Sequence, residues 1–575
     1  MKQNNNDNAA NRSSYVGHVY EIGESAIKTK ILESLPKKWA SLHRNGYIHI
    51  HDLDAYGLTY NCLTFDFDHL DLSEINDETE QGRIISLFSY LKLLIEDYGN
   101  EQSGGMAFPN FDNDVDGMLE KLNVANTKEN NFILRSCIRA FIRFCNDNHT
   151  RMGLVSYYVT LNIGLADTER ARFIAKTVLE EFESLGDMVY KPNIVFKVCD
   201  DINRNEGDPN YDILKQALLC TAKKMIPTYL LCDCEQNKQT DPSRLSIMGC
   251  RTRVVDDVYG AKGAIGRGNI DNISINLPRL ALEIDRDYRN SSFEDKLQTL
   301  RKRWTDIAEQ VKDILIDRYK KVIGQPLENF PTNLRFNLWG TRFDGATNLE
   351  EIFKHGTLSI GFIGLSEAIE VLSGKKYYSD PSTLIATVGF VSYMREYCDF
   401  LRRETKLNFS LLATSGELIS GRFTEIDKKE FTPVVDIFSK GYYTNSFHVD
   451  VDSRLPARKK IQIEGLFHPF CNGGSITYVE LGEAPIGNDE GLRELLEIAI
   501  SANVHYLGFN FPKDICKECG TNGVFDTCPC CGSGKITRIR RVSGYLEILD
   551  GFTKGKKFEE QNRRKNDYGQ TKHSY

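Results

Sequence analysis

Apolar and polar positions change period several times along the chain, and the changes mark out its elements. Residues 1–14 are Asn-rich and too polar to bury a core, so they read as a flexible arm. From Val16 to about Leu70, helix and strand signals alternate, and Gly46-Tyr47-Ile48-His49-Ile50-His51-Asp52 reads as a turn into an alternating strand. Residues 80–230 are mostly helical by period, with candidate strands near Tyr158–Gly164 and Asn193–Val198. Beyond them short apolar strands alternate with amphipathic helices, most clearly at Ile273–Pro278, Leu358–Ile363, Asn408–Ala413 and Ile476–Leu481. That alternation predicts a largely parallel α/β sheet or barrel, with no internal repeat and no long linker before residue 510.

Composition narrows the function. A chain of 575 residues, 41% hydrophobic, can bury a large core, as about two to four domains or one big α/β body. A net charge of −8 with no long basic run argues against direct nucleic-acid binding; an anionic substrate would need backbone amides or selected cations. No apolar stretch reaches a membrane span, since Phe132–Cys145 is broken by Arg135, Arg139 and Arg143. The polar N-terminus lacks the apolar core of a signal peptide, and 15 cysteines, thinly spread outside one cluster, fit a reducing cytoplasm.

The cluster itself predicts a metal site. Cys516-Lys517-Glu518-Cys519-Gly520 and Cys528-Pro529-Cys530-Cys531-Gly532 form two knuckles whose thiolates can wrap a tetrahedral Zn²⁺. Cys530 is the spare, or Cys528 and Cys530 make the second pair. Four thiolates leave no open coordination position, so the zinc reads as structural, holding the segment that follows. That segment is Arg541-Val542-Ser543-Gly544-Tyr545-Leu546. A tight turn is the plainer reading of Gly544. The chemical reading is that a radical at a glycine Cα is delocalised into both adjacent amides, with no β-carbon to crowd the planar geometry.

Met248-Gly249-Cys250-Arg251-Thr252-Arg253 places a cysteine in a polar loop, poorly explained as core filler. Arg251 and Arg253 would lower its pKa if they face it. Cys62, in Tyr60-Asn61-Cys62-Leu63-Thr64, adjoins an apolar strand.

Taken together, Arg-Val-Ser-Gly544-Tyr, the preceding knuckles, Met-Gly-Cys250-Arg and Asn276-Leu277-Pro278-Arg279 resemble the anaerobic (class III) ribonucleotide reductases. Tyr443-Thr444-Asn445-Ser446, Asn472-Gly473-Gly474-Ser475-Ile476-Thr477-Tyr478-Val479-Glu480 and Ile48-His49-Ile50-His51-Asp52 extend the resemblance, in the family's order, from about residue 12 to the end.

The resemblance implies an α/β barrel of ten strands, two parallel five-stranded halves around a finger loop, with a C-terminal zinc ribbon and glycyl-radical loop. It divides the chain into the arm (1–14), the barrel (15–510, with a helical dimer and allosteric region around 80–190), the zinc segment (511–540) and the radical loop and tail (541–575). Cys250 matches the fingertip cysteine that becomes a thiyl radical, Gly544 the stored glycyl radical, and Cys62 the second active-site cysteine. Asn269 matches an asparagine of formate-dependent members. His49 and His51 point to one strand face, as a packing pair or for proton transfer or formate handling. Thr414, Ser415 and Gly416, after a strand and at a helix start, and Thr444, Asn445 and Ser446 are candidate substrate contacts. The Ser415–Ser420 run departs from the Pro-Ala-Glu-Gly type of relatives.

The family reduces ribonucleoside triphosphates, takes formate as co-substrate, answers to ATP and deoxynucleotide specificity effectors and forms homodimers. A separate activating enzyme with S-adenosylmethionine and a [4Fe–4S] cluster installs the radical. The barrel-type text starts almost at once, so the ATP-binding regulatory domain of many members is expected to be missing. Rival readings are another glycyl-radical enzyme, of formate-lyase or diol-dehydratase type, a catalytically silent relative, and a zinc-ribbon protein gripping nucleic acid through Lys535–Arg541 and Lys554–Lys557. Formate-lyases use two adjacent mid-chain cysteines, which this sequence lacks outside the zinc cluster.

Overall fold

The computed structural model of the chain describes residues 15–148 and 157–566; the arm read over residues 1–14 and tail residues 567–575 lie outside the described residues. Its organising feature is a ring of strands. In chain order these are β1 (Ile48–Ile50), β2 (Leu63–Thr64), β3 (Gly105–Phe108), β4 (Tyr158–Ile163), β5 (Asn193–Val198) and β6 (Thr228–Leu231). A hairpin follows, β7 (Ile247–Met248) and β8 (Thr252–Arg253). Then come β9 (Asn269–Asn276), β10 (Thr357–Ile363), β11 (Asn408–Ala413), β12 (Thr477–Glu480) and β13 (Tyr506–Asn510).

Strands β2 to β6 pair in parallel and in sequence order. A second parallel run, β9 to β11, continues into β12 and β13 across a bridge between Leu412 and Gly474. Both seams are closed. Antiparallel pairing sets Leu230 of β6 opposite Tyr506 of β13. On the other side the N–H groups of Asn61 and Cys62 donate to the Asn269 carbonyl at 3.0 Å, and Thr64 N–H donates to the Arg267 carbonyl at 2.9 Å. The ring is the expected ten-stranded α/β barrel, with β1 added antiparallel on β9.

Side-chain alternation sets the layers. Ile273, Ile275, Leu358, Ile360, Phe362, Phe409 and Leu411 pack into the main core with the helices. At intervening positions Ser274, Ser359 and Ser410 are also buried but hydrogen-bond one another or a neighbour. Burial on both faces makes these strands read as nearly continuous apolar runs. Local chemistry sets the helix boundaries. Asn276 caps the helix Leu277–Asp287 through Arg279 N–H, and Pro278 occupies the first turn, where no N–H is needed. The strand expected over Ile273–Pro278 therefore ends at Asn276.

After the barrel, β14 (Lys513–Cys516), β15 (Asn522–Gly523), β16 (Ile536–Arg541) and β17 (Leu546–Ile548) form a small antiparallel sheet. Strand β16 runs from the cysteine knuckles to the threshold of Gly544, and the helix Lys554–Asn562 follows. Among the described residues no helix is long and apolar enough to cross a membrane.

Candidate active site

The β7–β8 hairpin carries Cys250 at its tip, and barrel side chains hold it. Ile247 N–H donates to Asn162 Oδ1 and Gly249 N–H to Thr160 Oγ1, each at 3.1 Å. Arg253 N–H donates to the Gly473 carbonyl at 3.0 Å. A Cβ on the neighbouring Gly474 would overlap the Arg251 carbonyl, so glycine is what admits the hairpin here.

Gly544 is buried directly against this tip. An added Cβ would overlap the Cys250 carbonyl group and crowd its Cα. Gly544 does not adopt a positive φ, so the left-handed turn that usually explains a glycine is not the reason for this one. Val542, Tyr545 and Phe552 pack around it with Tyr158 and Cys250, and the Tyr158 and Tyr545 rings meet edge to face at 5.5 Å. Arg541 donates to the Gly544 carbonyl at 3.2 Å and also to that of Met225. Ser543 Oγ donates to the Glu417 carboxylate, and Thr553 Oγ1 to the Glu417 carbonyl.

Cys62 packs with Ala107, Met248 and Val254 at the hairpin's flank. Gly105 N–H donates to its sulfur at 3.3 Å, and its thiol donates to Asn61 Oδ1 at 2.7 Å. Asn61 Nδ2 donates in turn to Asp52 Oδ2 at 2.7 Å, wiring the His-Ile-His-Asp segment to this cysteine. Burial pushes the Cys62 thiol up to about 12. Burial also raises Cys250, with the Glu417 charge adding and Arg251 opposing. Of the two arginines expected to lower this pKa, Arg251 does act in that direction, but burial outweighs it and the net shift is upward. Arg251 spends its donors on the Ala413 carbonyl (3.3 Å) and Tyr478 Oη (3.0 Å), and Arg253 on Asn237 Oδ1 (3.0 Å). Both sulfurs are held as thiols, the form that can give up a hydrogen atom.

His49 and His51 do share a face: their rings lie 4.7 Å apart at 88°, with His43 5.2 Å from His49. His51 Nε2 is 2.8 Å from Ser274 Oγ, which is 2.8 Å from Thr414 Oγ1, so one chain joins a histidine to a candidate substrate contact. Asn269 is buried, its amide 3.0 Å from Thr357 Oγ1 and 3.1 Å from Ser359 Oγ. With the nitrogen on that side it also donates to the Thr357 and Asp271 carbonyls, at 3.0 and 3.2 Å. It meets Cys62 through its backbone carbonyl.

The two candidate substrate loops come together. A Cβ on Gly416 would stand 2.6 Å from Asn445 Oδ1, and the Ser415 hydroxyl stands near enough to the Cys250 thiol to oppose the rise in its pKa. The helix expected to begin there starts later, at Ile419. Thr444 Oγ1 donates to Glu367 Oε1 at 2.7 Å, and Asn445 Oδ1 accepts from Lys556 at 2.9 Å. The Ser446 carbonyl accepts from Leu365 N–H at 3.1 Å. Sequence reasoning missed Asn61, Tyr158 and Glu417. Adjacency to Cys62 was a usable signal for Asn61; an acid beside a presumed helix start gives none for Glu417.

The sulfurs of Cys516, Cys519, Cys528 and Cys531 all lie within 4.8 Å of one another, and Cys530 is outside the group. The Cys516–Cys531 and Cys519–Cys528 pairs stand at 3.5 Å. A tetrahedral Zn²⁺ with Zn–S near 2.3 Å wants sulfurs about 3.8 Å apart, so the set fits zinc. The basic residues around it are largely neutralised from within. Arg540 pairs with Asp514 (2.7 Å) and Glu560 (2.8 Å), Lys535 with Glu518 (2.8 Å), and Lys554 with Glu425 (2.6 Å).

The fold is similar to that of a glycyl radical enzyme from Archaeoglobus fulgidus (TM-score 0.57, 10% identity, 96% of this chain and 86% of that one). The likeness is greater to a structure described as anaerobic ribonucleotide reductase, with TM-score 0.70 and 16% identity over 98% of this chain and 91% of the other. In sequence, residues 6–566 match the family model described as anaerobic ribonucleoside-triphosphate reductase. The reductase of that name from Escherichia coli (strain K12) is 31% identical over 92% of this chain and 78% of its own length. That of Enterobacteria phage T4 is 28% identical over 90% and 89%. The chain is an α/β-barrel oxidoreductase of the glycyl radical enzyme fold. It belongs to the anaerobic ribonucleoside-triphosphate reductase family.

Proposed function

We propose that this enzyme reduces ribonucleoside triphosphates by radical transfer from Gly544 to Cys250, with formate as the final reductant. The observation that carries the reading is the packing of Gly544 on the Cys250 backbone beside a second buried thiol, Cys62. A hydrogen atom passes from the Cys250 thiol to the glycyl radical, and the thiyl so formed takes the ribose 3′ hydrogen. The 2′ hydroxyl leaves as water and Cys62 gives a hydrogen atom to C2′. Formate returns a hydrogen atom to the Cys62 thiyl, and the CO₂ radical anion so formed passes its electron, with a proton, to the 3′ ketone and leaves as CO₂. Cys250 then gives the 3′ hydrogen back and becomes the thiyl again. Overall, one triphosphate, one formate and one proton give one deoxynucleotide, CO₂ and water. The Asp52–Asn61–Cys62 and His51–Ser274–Thr414 chains are suited to orient the thiol and move the proton. Closing the barrel over these groups excludes water and oxygen.

Thr414–Gly416 and Thr444–Ser446 are the proposed seat for the substrate's ribose and phosphates, and Asn269 takes part in formate-dependent reduction. Cys516, Cys519, Cys528 and Cys531 would hold a structural zinc that fixes β16 and hence the glycine loop. A radical-S-adenosylmethionine enzyme with a [4Fe–4S] cluster is the partner that installs the radical. A Thermotoga maritima relative carries dATP in a specificity site. We extend such a site and a homodimer to this chain, in the helical region around 80–190. The test is turnover with [¹³C]formate: one ¹³CO₂ per deoxynucleotide is expected, and reduction at the same rate without formate would overturn formate as reductant.

A further inference from the structure

Glu417 has no part in the chemistry above, yet it touches both ends of the glycine loop. Its carboxylate accepts from Ser543 Oγ and its carbonyl from Thr553 Oγ1. Glu417 is 7% exposed and Ser543 fully buried, so their hydrogen bond is charge-assisted and shielded from water. Two residues earlier, Ser415 meets the Cys250 thiol. One residue earlier, Gly416 packs on Asn445, whose Oδ1 accepts from Lys556 of the closing helix at 2.9 Å. The loop after β11 thus grips the C-terminal segment directly at residues 543 and 553, and through Asn445 at residue 556.

We propose that Glu417 is a positioning residue, a latch that ties the substrate-side loop 414–417 to the glycine loop 543–553. Its role in turnover rests on the radical reading; the tie itself does not. Gly544 is buried, so any enzyme that oxidises it must meet an opened loop, and opening breaks both hydrogen bonds to Glu417. A triphosphate seated on residues 414–416 orders the same loop that carries the latch, so nucleotide binding favours the closed state. By reciprocity the open state binds nucleotide less well. The latch therefore separates activation, with the loop out, from turnover, with the loop in.

The experiment uses the full chain and the variants Glu417→Ala, Glu417→Gln, Ser543→Ala and the Glu417→Ala/Ser543→Ala double. Amide hydrogen exchange over 543–553 should speed up about 10- to 100-fold in Glu417→Ala and in Ser543→Ala. The double variant should exchange no faster than either single one, and Glu417→Gln, which keeps an acceptor, should return most of the protection. After activation, Glu417→Ala should carry as much glycyl radical as the wild type yet turn over at least 10-fold more slowly, with CTP at saturation. Unchanged exchange in Glu417→Ala, or exchange in the double variant equal to the product of the two single effects, would overturn the latch. A wild-type chain that gives no glycyl signal but shows the exchange pattern would instead remove the radical reading and leave the tie standing.

Discussion

Gly544 lies against the Cys250 carbonyl so closely that no side chain fits between them. A backbone φ outside the left-handed region removes the usual reason for a glycine, leaving contact and chemistry. The contact places a backbone Cα next to the residue that carries the fingertip thiol. Short-range hydrogen-atom transfer needs that adjacency.

Cys250→Ala and Cys62→Ala should each lower turnover at least about 10³-fold, because each removes a group that acts only during the reaction. Neither should prevent radical storage at Gly544, and stability should change by about 1 kcal/mol, since only a sulfur is lost. Paired turnover and spectroscopic assays on the activated variants check this. Turnover at the wild-type rate in Cys62→Ala would exclude its role as donor.

Metal analysis separates the knuckle cysteines. Cys519→Ser should lose bound zinc and loosen the sheet that leads to Gly544, whereas Cys530→Ser should keep one zinc per chain. Structural zinc contributes on the order of 10 kcal/mol to small sites, so its removal should open the segment locally while the barrel still melts cooperatively. Full zinc retention in Cys519→Ser would contradict the four-sulfur assignment.

Acid should destabilise the barrel through a buried histidine. His468 Nε2 lies 3.0 Å from Thr477 Oγ1 and Nδ1 3.0 Å from Ser475 Oγ, and burial lowers its pKa from 6.5 to about 3. Between those values the unfolded chain binds a proton that the folded chain refuses. The stability present above pH 6.5 is therefore lost as pH falls toward 3, at about 1.4 kcal/mol per pH unit. Denaturant titrations across that range should show a shallower slope in His468→Gln; an unchanged slope would assign the acid sensitivity elsewhere.

Much of this was legible in the sequence because the decisive signals are local. The knuckle spacing, the His-Ile-His-Asp alternation and the fingertip cysteine each depend on a few adjacent residues. What the sequence hides is closure. The seam between Asn61–Cys62 and Asn269 is made by backbone groups about two hundred residues apart, with no side-chain pattern to betray it. Pro278 looked like a strand end and is a helix first turn, because Asn276 caps the helix immediately before it. The arginines flanking Cys250 looked like thiolate stabilisers, but burial outweighs the charge of Arg251, and Arg253 turns its donors to Asn237. Glu417 carries no local mark, since its burial depends on a loop more than a hundred residues later.

The most direct test of the central claim is an anaerobic electron paramagnetic resonance spectrum of the chain after incubation with its activating enzyme, S-adenosylmethionine and a reductant. A glycyl doublet is expected that vanishes in air as the chain is cut at Gly544, and that never forms in Gly544→Ala. No doublet in the wild-type chain, with the activating enzyme shown competent on another protein, would contradict it.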